Sequence, residues 1–186
     1  MKKIFIISDT HWTDRSNWIV EYIKKWNTLV GKDDTVFHLG DIAHNKNALP
    51  RLKQLNGHKI LITGNHDAYS TSIYKEYFAE IHTHYLLRIN GKCYRRGNVL
   101  LTHAPVCPEW KQCPWNGGPD NAELYTTYRN TIYANIHGHF HQYGISRFRH
   151  ANTQYHESVP YTLFTVYDKL IELPHLIWDV DHQKAA

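Results

Sequence analysis

The sequence predicts a layered α/β fold, and three observations predict it. Short apolar runs of strand length recur along the chain, helical stripes separate the early ones, and the later ones crowd together, which calls for some antiparallel pairing. The composition permits such a fold. A chain of 186 residues suits one compact domain spanning 1–186, and its apolar (42%) and charged (20%) fractions are those of a globular protein.

Lys3–Ser8 (KIFIIS) reads as a short buried strand that runs into the polar Asp9–Trp12. Apolar residues then recur at Trp18, Ile19, Tyr22, Ile23, Trp26, Leu29 and Val30, a helical stripe with Gly31 as its stop. Thr35–Leu39 is the next strand, and Gly40–Asn45 the polar turn after it. Leu49, Leu52 and Leu55 predict a short helix that Pro50 helps to start. Lys59–Thr63 is a third strand, followed by the turn Gly64–Tyr69, and Thr71–Ile81 is helical in pattern. His84–Arg96 predicts a hairpin turning near Asn90-Gly91. Asn98–Thr102 is another buried strand, ending at His103-Ala104-Pro105. Val106–Pro119 predicts a long loop, Asp120–Thr131 a helix, and Tyr133–Gly138 and Thr162–Asp168 two further strands.

Several function classes lose ground on composition. The formal net charge of +4 fits an anionic substrate, but the dense basic patches are confined to Lys92–Asn98 and Ser146–His150, which read as solvated surface. Cys93, Cys107 and Cys113 are odd in number and lack paired zinc-ligand spacing, so a disulfide framework is not expected. The apolar run Ile4–Ile7 is too short for a secretory leader, and no stretch has membrane-spanning length, so a cytoplasmic location without membrane partners is expected. The informative excess is histidine, 15 residues in all.

Each strand ends in a polar cluster, and ligands of open α/β sheets bind at the carboxyl ends of strands. The clusters contain Asp9, His11, Asp41, Asn65, His66, Asp67, His103, His139 and His141. Carboxylates and imidazoles without thiolates suit borderline first-row metals, and this set exceeds what one tetrahedral ion needs. Two ions sharing a carboxylate would use it. The spacing of His137, His139 and His141 would place all three on one face if the strand continued through them.

These blocks, Asp9-Thr10-His11, Gly40-Asp41, Gly64-Asn65-His66-Asp67, His103 and Gly138-His139-Phe140-His141, resemble those of the calcineurin-like metallophosphoesterase superfamily. Trp26–Ala43 further resembles its small, compact bacterial and phage-type members. The resemblance implies a four-layer α/β/β/α sandwich and two divalent metal ions, Mn²⁺ first, with Fe, Zn, Ni or Co as alternatives. It implies that Asp9, His11 and His141 hold one ion, that Asn65, His103 and His139 hold the other, and that Asp41 bridges them. His66 would lie outside the metal shell and act on the substrate, with Asp67 as its orienting partner. His137 and His38 match no ligand and read as buried or supporting residues.

The activity implied is hydrolysis of phosphodiesters or phosphomonoesters of small, nucleotide-type substrates by a metal-bridging hydroxide, with His66 assisting the leaving group. Many members continue the second block with Asp-Arg where this chain has His44-Asn45, which argues against protein serine/threonine phosphatase or diadenosine tetraphosphatase activity. A nuclease ranks second, as no long basic groove is evident. A non-catalytic binding scaffold ranks third, because such a scaffold would be expected to lose ligands. Trp110 and Trp115, in the loop Val106–Asn121, read as packing anchors ahead of base-stacking residues.

Overall fold

The computed structural model describes residues 2–13, 16–90, 96–107, 121–145, 149–150, 153–154 and 160–182. Along the chain come β1 (Ile4–Ile7), α1 (Ser16–Leu29), β2 (Thr35–His38), a 3₁₀ segment (Lys46–Gln54), β3 (His58–Ile62), α2 (Thr71–Tyr74) and β4 (Glu80–His82). They continue with β5 (His84–Ile89), β6 (Gly97–Thr102), α3 (Asn121–Tyr128), β7 (Ile132–His137), β8 (Gly144–Ile145), β9 (Arg149–His150), β10 (Thr153–Gln154), β11 (Thr162–Thr165), β12 (Ile171–Glu172) and α4 (Leu173–Asp181). The fold is mixed α/β. One five-stranded sheet has the order β12-β1-β2-β3-β4 and the other β5-β6-β7-β11-β8; β9 and β10 form a separate ribbon.

Alternation along the strands divides the core, since neighbouring residues face opposite sides of a sheet. Ile6, Phe37, Ile60 and Ile62 of the first sheet meet Val99, Leu101, Ile136 and Phe164 of the second. On its other face the first sheet sends Phe5, Ile7, Val36 and Leu61 into a cluster with Ile19, Ile23 and Trp26 of α1 and Leu49 and Leu52 of the 3₁₀ segment. Leu100 of the second sheet packs with Leu124 of α3 and with Ile132 and Tyr161. α1 thus covers one face of the first sheet, and α3 packs on the second. No helix among the described residues is long and apolar enough to cross a membrane.

Register carries the strand ends to one edge. Ile7, His38 and Leu61 are aligned across β1, β2 and β3, and Thr102, His137 and Thr165 across β6, β7 and β11. The polar loops that follow leave each sheet at one level, and the His139 amide from the second sheet meets the Asp9 carboxylate from the first (2.9 Å).

The structure corrects several sequence expectations. The apolar pattern of Thr71–Ile81 does not make one helix: α2 stops at Tyr74, and Glu80–His82 pairs with β3 as a parallel strand. Tyr74 and Phe78 are both buried in one cluster, so helical spacing persists without a helix, and Ala79 donates its amide to Lys59 O to begin the pairing (2.9 Å). The buried stripe of α1 is Ile19, Ile23 and Trp26, continued by Val30 just past its end, whereas Trp18 and Leu29 are exposed. Pro50 lies inside the 3₁₀ segment; Asn45 caps it, its side chain accepting from the Ala48 amide (3.1 Å). The return strand of the hairpin is Gly97–Thr102, pairing His84 with Thr102.

Beyond β12 the chain forms α4, a helix not among those the sequence predicts. Its signal was present as Pro174 at the start and buried Leu173, Leu176, Ile177 and Val180 at helical spacing. Residues 91–95, most of the long loop (108–120, with Trp110 and Trp115), Asp120, and Cys93 and Cys113 lie outside the described residues; Cys107 is buried.

Candidate metal centre

The loop after β1 does not leave its sheet at once. The amides of Asp9, His11 and Trp12 donate to the carbonyls of Gly40, Asp41 and Ile42 (3.0, 3.0 and 2.8 Å), so the first and second loops stay zipped beyond the strands. Asp9, His11 and Asp41 adopt left-handed backbone conformations (φ 54°, 43° and 56°), as do His139 and His141 (71° and 51°). Each such non-glycine residue costs about 1–2 kcal/mol. Five of them among the seven candidate ligands mark this edge as a strained, functional place.

The same conformations overturn the one-face strand expected for His137, His139 and His141. β7 ends at His137, and the two left-handed residues, not strand alternation, turn His139 and His141 inward. His137 is fully buried, with its Nδ1 2.8 Å from Gly138 O, and burial lowers its pKa to about 3. Two glycines let the loops meet. A Cβ on Gly64 would lie 2.2 Å from Asp41 Oδ1, and one on Gly138 would lie 2.3 Å from Asp9 Oδ2.

The expected ligands converge in two lobes. In the outer lobe, Nε2 of His11 and Nε2 of His141 are 3.0 Å apart and lie 3.9 and 3.4 Å from Asp9 Oδ1. In the inner lobe, Asn65 Oδ1 is 2.9 Å from His103 Nε2 and 3.1 Å from His139 Nδ1, and those two nitrogens are 3.3 Å apart. Asp41 Oδ2 reaches both, at 3.9 Å from His11 Nε2 and 3.4 Å from His103 Nε2. Asp9, too, groups with ligands of either lobe: with His11 and His141, and with Asp41 and His103.

The donor chemistry fits a cation. His103 Nδ1 lies 2.7 Å from Leu39 O, which fixes the proton there and turns the Nε2 lone pair toward the oxygens of Asn65 and Asp41. A cation satisfies acceptors that converge in this way. A proton can play that part: burial opposes it, but the hydrogen bond and charge of Asp41 hold the His103 pKa above its ordinary value. Metal binding displaces such a proton. Burial likewise pushes Asp41 up, yet His103 holds its carboxyl down at about 2. Burial lowers His11 and His139 to about 4, which leaves both imidazoles neutral and ligand-competent at neutral pH. Ligand atoms at right angles about 2.1 Å from an ion lie about 3.0 Å apart, close to the spacings found here.

His66 stands apart from this set. Its ring is exposed and lies edge-on to His11 at 5.8 Å between centroids, while its backbone amide is tied to Asp41 Oδ1 (2.9 Å). Asp67 has a different task from the orienting one expected of it. Its buried carboxylate accepts from the amides of Asp41 (2.9 Å), Ile42 (3.0 Å) and Gly64 (2.8 Å), stitching the second loop to the third. His38 does the same between the first and second loops. Its Nδ1 accepts the Gly40 amide (3.2 Å), so Nε2 donates to Thr10 Oγ1 (3.0 Å), which donates to Ile42 O (2.9 Å). Sequence reasoning missed both roles, because backbone amides as partners leave no mark on residue type.

Asp67→Asn tests the stitch. One oxygen that accepts amides becomes an amide donor, leaving a buried N–H facing another. The expected loss is about 2 kcal/mol, a fall of roughly 4–8 °C in Tm for a chain of this size. An unchanged melting temperature by scanning calorimetry would rule out this role.

Three comparisons bear on this arrangement. The family model described as the calcineurin-like phosphoesterase superfamily domain matches residues 1–156. An uncharacterised protein of Methanocaldococcus jannaschii is 34% identical over 88 residues, which cover 37% of this chain and 49% of that protein, so the match spans about half the relative's length. Among solved structures, a protein of unknown function from Aquifex aeolicus superposes with a TM-score of 0.68 at 23% identity, covering 95% of this chain and 98% of its own. An archaeal phosphodiesterase superposes with a TM-score of 0.51 at 20% identity over 88% of this chain and 82% of its own. These two likenesses establish the fold.

Proposed function

The chain belongs to the calcineurin-like phosphoesterase superfamily, and on that premise we propose that it is a metal-dependent phosphoesterase that holds two divalent ions, Mn²⁺ first among them, and hydrolyses phosphodiesters of small, nucleotide-type substrates. One observation carries the reading: Asp41 Oδ2 lies between His11 Nε2 (3.9 Å) and His103 Nε2 (3.4 Å), imidazoles of opposite lobes. Asp9, His11 and His141 would hold the outer ion, Asn65, His103 and His139 the inner one, and Asp41 would serve both. Divalent ions held there supply Lewis acidity, activating water near neutral pH and neutralising phosphate oxygens.

The chain's own residues do the rest. Asp9 and Asp41, 1% and 2% exposed, supply the buried negative charge, and among the described residues their ion-pair partners are histidines rather than Lys or Arg. A cation is therefore not displaced by a competing side chain. His66, anchored through its amide and exposed at its ring, gives a proton to the departing alkoxide. Its place over His11, outside both ligand groupings, suits that work.

The substrate preference is tested with the Mn²⁺-loaded protein. Where many relatives carry Asp-Arg after the second block, this chain has His44, which is exposed, and Asn45, whose side chain caps the 3₁₀ segment. No guanidinium at these positions grips a terminal phosphate, so a second ester group is tolerated. Appreciable hydrolysis of bis-p-nitrophenyl phosphate is expected. Robust monoesterase activity with no detectable diesterase activity overturns the preference, and turnover confined to oligonucleotides makes the protein a nuclease.

A further inference from the structure

The two lobes orient their imidazoles by different means. In the inner lobe His103 is fully buried and fixed by Leu39 O, and His139 contacts both Asn65 and His103. In the outer lobe no described residue supplies the usual fixing hydrogen bond to His11, whose buried Nδ1 has no partner among the described residues. A metal-binding imidazole ordinarily donates its second nitrogen to a carboxylate or carbonyl, which sets the ring plane. The His141 side chain is about half exposed (48%) on a left-handed loop.

Both outer rings are instead held face-on by a neighbour. His44 stacks on His11 with centroids 4.6 Å apart and planes 15° apart, and Tyr167 stacks on His141 at 4.9 Å and 14°. These neighbours are themselves anchored through the backbone. The His44 amide donates to Trp12 O (2.9 Å). Tyr167 sits between two pinned residues, as the Val166 amide donates to His137 O and that of Asp168 to Ser8 O, both at 2.8 Å. The segment after β11 is thus clamped between the first and last ligand loops, although it lies beyond the matched residues 1–156.

We infer that His44 and Tyr167 are positioning residues that fix the ring planes of His11 and His141 by stacking, and so set the affinity of the outer ion alone. The inference rests on the two-ion reading above. It adds a sixth loop to the five that carry the ligands, and gives His44 a purpose in the place where relatives carry an acid.

The test is calorimetric titration of the metal-free full-length protein with Mn²⁺, with bound and free ion counted by electron paramagnetic resonance. His44→Leu and Tyr167→Leu should each weaken one of the two sites by about 10-fold or more, as for lost outer-shell partners, and leave the other unchanged. His44→Phe and Tyr167→Phe keep a stacking ring and should restore the affinity, which a role in hydrogen bonding would not predict. A leucine variant that keeps both affinities, or loses both equally, removes its residue from the role, as does failure of the phenylalanine variant to restore binding. A wild-type protein that binds no pair of ions overturns the two-ion reading instead, so the two failures are told apart.

Discussion

Asp41→Asn should strip the protein of both ions and of its turnover together. The carboxylate is 2% exposed, its Oδ2 lies between imidazoles of the two lobes, and its Oδ1 accepts the His66 amide (2.9 Å). The change keeps the shape but removes the charge, and puts a donor where an acceptor faced two histidines. With several kcal/mol of transition-state stabilisation resting on the ions, turnover should fall about 10³-fold or more. Asp9→Asn is the useful contrast. The close contacts of Asp9 to imidazole nitrogens are to His11 and His141, so its loss should fall mainly on one ion. Metal analysis of the purified variants by mass spectrometry decides the matter. Two ions at full occupancy with normal turnover in Asp41→Asn would remove Asp41 from the bridge.

His66→Ala should separate chemistry from binding. Its ring belongs to neither ligand grouping, and only its backbone amide touches Asp41, a contact alanine retains. Both ions and the fold should therefore persist while turnover falls by about 10²–10⁴-fold, the range for a lost general acid. The loss depends on the leaving group. A ribose alkoxide needs a proton to depart, whereas p-nitrophenolate leaves readily without one, so the variant should lose more activity on a nucleotide diester than on a p-nitrophenyl ester. An equal loss on both substrates, with one ion missing, makes His66 a ligand instead.

The contrast between the two residues reflects what can be read from a linear chain. Asp9, His11, Asp41, Asn65, His103, His139 and His141 were legible because each follows an apolar run, and a strand end is a local property of the sequence. The structure brings all seven together. Tyr167 was not legible, because Thr162–Asp168 reads as one strand; β11 ends at Thr165 once its pairing with β7 ends at His137. The helix expected over Thr71–Ile81 failed for a related reason. Its apolar period is satisfied equally by one helical turn followed by a strand, and only pairing with β3 decides between them.

The sequence by itself determined the candidate ligand types, their order along the chain and the alternation that makes two sheets. Those features depend on neighbours within a few residues, where sterics and solvation act directly. The tertiary structure decided how the ligands are aimed. Left-handed turns at Asp9, His11, Asp41, His139 and His141, the Asp67 stitch between loops, and the stacks of His44 and Tyr167 all draw on contacts distant in the chain. A strained turn or an exposed imidazole holds one orientation only when the surrounding fold offsets its cost, and that compensation comes from groups no local pattern identifies.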